Sequence, residues 1–141
     1  QMAKRIFRSD NKDLFPLFDA RFQPALKMYG ALLVQMVSLC QRNHSELIVI
    51  LMPGRSLVER PGSRSAQFQE YLREKIIEQC KRRHIRLMDL ALHLKTVHME
   101  TGKKLYFPND GHMNALGHGV TADYIRDRFK MFGKSPMKIV K

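Results

Sequence analysis

Tryptophan is absent, cysteine occurs twice, and only 13 acidic side chains stand against 25 Lys and Arg in 141 residues. The two cysteines, Cys40 and Cys80, are too few for a disulfide framework and too far apart for a zinc knuckle. Both fall within helical patterns and read as small core residues. The longest apolar runs, LLVQMV and LIVILMP, are well short of the roughly 20 residues that a bilayer-spanning helix needs, so no membrane span is expected. Gln1 is followed by no charged-then-apolar leader pattern. The expectation is a processed or cloned piece, with any anchor lying upstream of it. In that case the compartment would be the cell envelope or periplasm; without an anchor it would be the cytoplasm.

What is present is an ordinary globular composition, 44% apolar and 27% charged, which argues against a disordered tail or a collagen-like repeat. The length fits one domain, since domains usually run to roughly 100–200 residues. The formal net charge of +12 invites polyanionic partners such as nucleic acid, an anionic polysaccharide or a membrane surface.

Residues 1–22 mix charge with aromatics and show no period, so they read as an irregular arm with a short strand at Arg5–Arg8. From Pro24 to residue 42, Leu26, Tyr29, Leu33, Val37 and Cys40 recur at helical spacing, with proline near the first turn. The unalternating run Leu47–Met52 suits a strand buried on both faces, as in a parallel sheet covered by helices. Residues 55–64 read as a loop. A second helix carries Phe68, Leu72, Ile76 and Cys80 and ends in the cations KRRH. Ile85–Leu90 reads as a second buried strand, and Asp89 as the cap of a third helix running to about Met99. TGKK makes a turn, and Leu105–Phe107 is a short extended piece before the loop PNDGHMN. A last helix over 115–132 is expected to turn Leu116, Val120, Tyr124, Ile125 and Phe129 inward and to stop at Gly133, ahead of a basic tail over 134–141. The alternation of helices and strands predicts an α/β fold, with residues 23–133 as its body. Two strands alone cover a sheet poorly, so the sheet is expected to be incomplete in this chain.

The densest polar constellation is the loop from Asn109 to His118. Asp110, two residues before His112, can hold one imidazole nitrogen and fix its tautomer, which leaves the other nitrogen free to take a proton from a nucleophile. Asn114 is placed to cap the last helix. The same letters also fit a plain Asp-Gly turn carrying a surface histidine, or metal ligation by Asp110, His112 and His118, although no HExxH spacing supports a metal.

The block YFPNDGHMNALGHGVTADYI, taken with the LIVILMP and IRLMDL strands upstream, resembles the C-terminal part of SGNH/GDSL-type hydrolases. That resemblance implies a three-layer α/β/α flavodoxin-like sandwich, a Ser–His–Asp triad without a cofactor, and action on lipid or carbohydrate esters, including O-acetyl groups. On it, His112 is the catalytic base and Asp110 its orienting acid. It covers roughly residues 24–130 and is most specific over 105–125. The D-x-H spacing differs from the common D-x-x-H and is similar to the branch of alginate-acetylation proteins. The nucleophile block G-D-S, the oxyanion-hole glycine and the G-x-N block have no counterpart in the chain. A base without a nucleophile and preorganised donors does not run acyl transfer. The nucleophile is therefore expected on residues outside this chain, which alone should be inactive.

Within the chain, Ser56 in PGRS follows the first strand, at the end where open α/β sheets gather ligands, and Ser9 lies on the arm. Neither has the strand–turn–helix setting of an activated serine. Lys81, Arg82 and Arg83, with Arg55, Arg60 and Arg64, offer the competing reading of a phosphate-binding module without catalysis. No zinc-finger, RRM or helix-turn-helix pattern accompanies them. The nine methionines read as core filler.

Overall fold

A computed structural model describes residues 14–132. The expected Arg5–Arg8 strand, Ser9, the Gly133 stop and the 134–141 tail lie outside the described residues. In chain order the elements are α1 (Phe15–Arg42), β1 (Ile48–Leu51), α2 (Arg55–Glu59), α3 (Arg64–Arg82), β2 (Arg86–Asp89), α4 (Ala91–Thr101) and α5 (Ala115–Phe132). The fold is α/β and dominated by helix. β1 and β2 pair in parallel with Ile48 opposite Arg86 and Leu51 opposite Asp89, and they are the whole sheet among the described residues.

α1 begins at Phe15, ahead of the expected start at Pro24, and so takes in part of the arm expected to be irregular. Pro24 sits inside the helix, where a missing N–H and ring crowding cost about 3 kcal/mol. The compensation is aromatic. Phe15, Phe18 and Phe22 from the first two turns of α1 pack on Phe68 and Tyr71 of α3, with Phe18 and Phe68 centroids 5.3 Å apart and edge to face. Tyr71 is fully buried and donates its hydroxyl to Asp19 at 2.9 Å, while Lys75 holds the same carboxylate oxygen at 2.8 Å. Burial and the Asp19 carboxylate push the Tyr71 phenol up to about 12.

Further along, Leu33, Cys80 and Ile85 join α1, α3 and the start of β2 into a second cluster. Gly30 is buried where the Arg83 guanidinium and the Gln79 amide cross α1; an added Cβ would stand 2.8 Å from each. Cys80 is in the core as expected, whereas Cys40 is half-buried.

Four further expectations are corrected. The first strand is not buried on both faces: Ile50 is 36% exposed, because no third strand or helix covers it among the described residues. The segment after β1 is a short helix, α2, which buries Leu57 and Val58, rather than a loop throughout. On α5 the buried positions are Gly117 and Thr121, with Val120 and Tyr124 packed on the core, while Leu116 and Phe129 face outward. Met88 and Met113 are buried, but Met28, Met36, Met52, Met99 and Met131 are exposed, so methionine is not general core filler. Asp89 does accept the Ala91 N–H at 3.1 Å, although the residue flanking α4 is Leu90.

Candidate functional site

The site is built on the carboxyl ends of β1 and β2, where open α/β sheets bind ligands. Beyond β1 the chain passes through Pro53 and Gly54, whose N–H donates to Gln69 Oε1 of α3 at 3.0 Å, and enters α2. Three contacts tie the segment before the Asp-His loop to this turn. Tyr106 donates its hydroxyl to the Pro53 carbonyl at 2.5 Å. Arg55 donates to the Pro108 carbonyl. Glu59 Oε1 accepts the N–H of Leu105 at 3.0 Å and of Tyr106 at 3.3 Å.

Glu59 is the anchor of this arrangement. Its side chain is 1% exposed, and its other oxygen meets Arg55 Nε at 3.1 Å and Lys104 Nζ at 3.9 Å. Burial alone would raise its pKa, but Arg55, the two backbone N–H groups and Lys104 outweigh burial and hold the carboxyl below its ordinary value.

The loop itself is closed like a hairpin. Tyr106 and Met113 form an antiparallel bridge, Phe107 N–H donates to the His112 carbonyl at 2.9 Å, and Asn114 N–H to the Leu105 carbonyl at 3.0 Å. Asn114 caps α5 as expected: its Oδ1 accepts the Gly117 N–H at 2.9 Å, while its amide donates to the Lys104 carbonyl at 2.8 Å. Glycine is required at 117 for space, because a Cβ there would lie 2.2 Å from the Leu105 carbonyl oxygen.

On this frame Asp110 and His112 come together. Asp110 Oδ1 accepts the His112 backbone N–H at 2.9 Å and stands 3.3 Å from His112 Nδ1. With the proton on Nδ1, Nε2 is left as an acceptor. The imidazole is 86% exposed and the carboxylate 58%, so the pair faces solvent. Among the described residues no hydroxyl, thiol or amine is hydrogen-bonded to His112. Ser56 lies in the first turn of α2, next to the Arg55 that holds the loop, but no hydrogen bond joins it to His112 or Asp110. Among the described residues no three His, Cys, Asp or Glu side chains group to hold a metal, His118 with Asp110 and His112 included.

Under α3, at the same end of the sheet, a groove of about 180 Å³ lies between Leu51, Met52, Leu72 and Ile76, with Arg73 and Asp89 among its walls. Arg73 Nε binds Asp89 Oδ2 at 2.8 Å and the guanidinium also meets Glu70, which lies 3.5 Å from Lys95. Burial lowers the Lys95 ammonium pKa in spite of Glu70. Of this four-charge network the sequence marks only Asp89, and as a helix cap; it does not mark Glu59.

The six residues of the phosphate-binding reading, Arg55, Arg60, Arg64, Lys81, Arg82 and Arg83, do not converge on one site. Arg64 and Arg82 stand at opposite ends of α3, about 27 Å apart at the rise of an α-helix. Arg55 is spent on Glu59 and Pro108, whereas Arg82 and Arg83 line a groove between α1 and α3 with Lys27 and Lys75. No protein family, curated protein or solved structure matches the chain.

Proposed function

We propose that the chain supplies the histidine and aspartate of a Ser–His–Asp hydrolase with an SGNH-like, flavodoxin-type sandwich, the nucleophile coming from residues outside these 141. The observation that carries this reading is the Asp110–His112 contact at 3.3 Å, on a loop pinned to the carboxyl end of β1. A serine hydroxyl attacks an ester carbonyl, His112 Nε2 accepts its proton and then passes it to the leaving alcohol, and water releases the acyl group by the same route. Asp110 holds the tautomer and offsets the positive charge that develops on the ring. The exposure of His112 suits a base whose partner serine approaches from outside the described residues. The substrates are acyl or acetyl esters of lipids or carbohydrates, and the chain's positive charge suits esters carried on anionic polymers or membranes.

The test is hydrolysis of a short-chain aryl ester by the longest natural form of the protein. His112→Ala should lower kcat by about a thousandfold or more while leaving the fold intact. An unchanged rate overturns the proposal. The 141 residues alone should show no turnover above buffer; rapid turnover would point to Ser56 or Ser9. Tight, salt-sensitive oligonucleotide binding that is indifferent to His112, with no esterase activity, would favour the module without catalysis.

A further inference from the structure

A second site, sharing no residue with the Asp-His loop, lies where the first turns of α1 meet the start of α3. A cavity of about 500 Å³ opens between Leu17, Phe18, Phe22 and Phe68, with Arg21 and Arg64 on its walls. That volume falls within the range of small-molecule sites, which are mostly apolar with a few fixed polar groups. Among the described residues the cations are available. Among the described residues Arg64 meets no carboxylate, and Arg21 only lies over the Phe22 ring at 5.5 Å. The nearby acid on α1, Asp19, is already taken by Lys75 and Tyr71.

We infer that this cavity binds a single-chain anionic amphiphile, with its alkyl chain among the three phenylalanines and its acid head between Arg21 and Arg64. The ring geometry selects a flexible chain over a planar base. Phe18 and Phe68 meet edge to face at 67°, while Phe22 and Phe68 are tilted at 43° and Phe18 and Phe22 at 54°, so no two rings are parallel and they leave no parallel slot for stacking. Leu17, 64% exposed, extends the apolar wall outward beside Arg21. Each buried methylene should tighten binding about fourfold, and the paired cations should favour a carboxylate over an alcohol of the same length.

The experiment is calorimetric titration of the protein with octanoate, decanoate and dodecanoate below their micelle concentrations, and with decanol. The expected result is one saturable site, with affinity rising about sixteenfold per two methylenes and decanoate binding at least tenfold tighter than decanol. Arg21→Gln with Arg64→Gln should remove the preference for decanoate, and Leu17→Glu should weaken every acid about tenfold. All three positions are exposed, so circular dichroism should show the fold unchanged. Absence of saturable binding, affinity independent of chain length, or affinity unchanged in the folded variants overturns the inference. So does an oligonucleotide that binds at Arg21 and Arg64 while dodecanoate does not.

Discussion

Glu59 receives the backbone N–H of Leu105 on the same carboxylate oxygen that takes the N–H of Tyr106, across a separation of 46 residues in the chain. This single buried carboxylate therefore fixes where the Asp-His loop begins. Glu59→Ala would leave two backbone N–H groups and Arg55 Nε without their acceptor. Breaking a buried pair from one side costs about 3 kcal/mol or more, so the urea midpoint should fall sharply, and amide exchange at Leu105 and Tyr106 should accelerate. Glu59→Gln keeps one acceptor oxygen and should lose about half as much.

The same group gives a pH dependence. Because its folded pKa lies below the ordinary 4.5, the stabilisation is fully present above 4.5 and disappears as pH falls through the depressed value. Urea melts of the wild type and of Glu59→Gln should thus converge as pH falls from 4.5 through the depressed value. Curves that stay parallel through that range would show that Glu59 is not held as an anion.

Tyr106 is the other half of the anchor. Its hydroxyl reaches the buried Pro53 carbonyl, and burial together with the Glu59 charge raises the phenol well above its ordinary range, so it remains a donor at every working pH. Tyr106→Phe should cost about 1–2 kcal/mol, the usual penalty of an orphaned buried carbonyl, without changing helix content. No loss of stability would mean that water replaces the hydroxyl.

Gly117→Ala tests the space between α5 and the extended piece. The new methyl would meet the Leu105 carbonyl at 2.2 Å, so either α5 or the 105–106 segment must move. A loss of about 1–3 kcal/mol or more is expected from such overpacking. In the proposed hydrolase the displaced loop should also lower kcat. A fully active, fully stable Gly117→Ala protein would contradict the observed packing.

Much of this frame was legible because its signals are local. The strands at Ile48–Leu51 and Arg86–Asp89 and the helix Ala115–Phe132 follow from runs and periods within a few residues, and the Asn114 cap from its place before an apolar period. The start of α1 was not, since Pro24 is a local stop signal that Phe18 and Phe22 override through contacts with Phe68 of α3. The Asp110–His112 contact was readable from its two-residue spacing. Glu59, Tyr106 and the Arg73–Asp89 pair were not, because their partners lie between 16 and 53 residues away. Exposed methionines such as Met28 and Met36 misled for the opposite reason: helical spacing reports an apolar face, not whether anything covers it.

His93 offers a readout of the packing between α4 and α5. It stacks on Tyr124 at 4.8 Å, and Tyr124 in turn lies under Arg128 and donates its hydroxyl to the Asp89 carbonyl. Burial and the Arg128 charge both lower the His93 pKa below its ordinary 6.5. The unfolded chain consequently binds a proton near pH 6.5 that the folded protein resists, and stability must fall as pH drops below that point. His93→Gln removes the titration and should flatten the decline in the urea midpoint as pH falls below 6.5. Arg128→Gln should weaken the decline in part, since it removes the second cause and keeps the first. An equally steep decline in His93→Gln would assign the effect to another group.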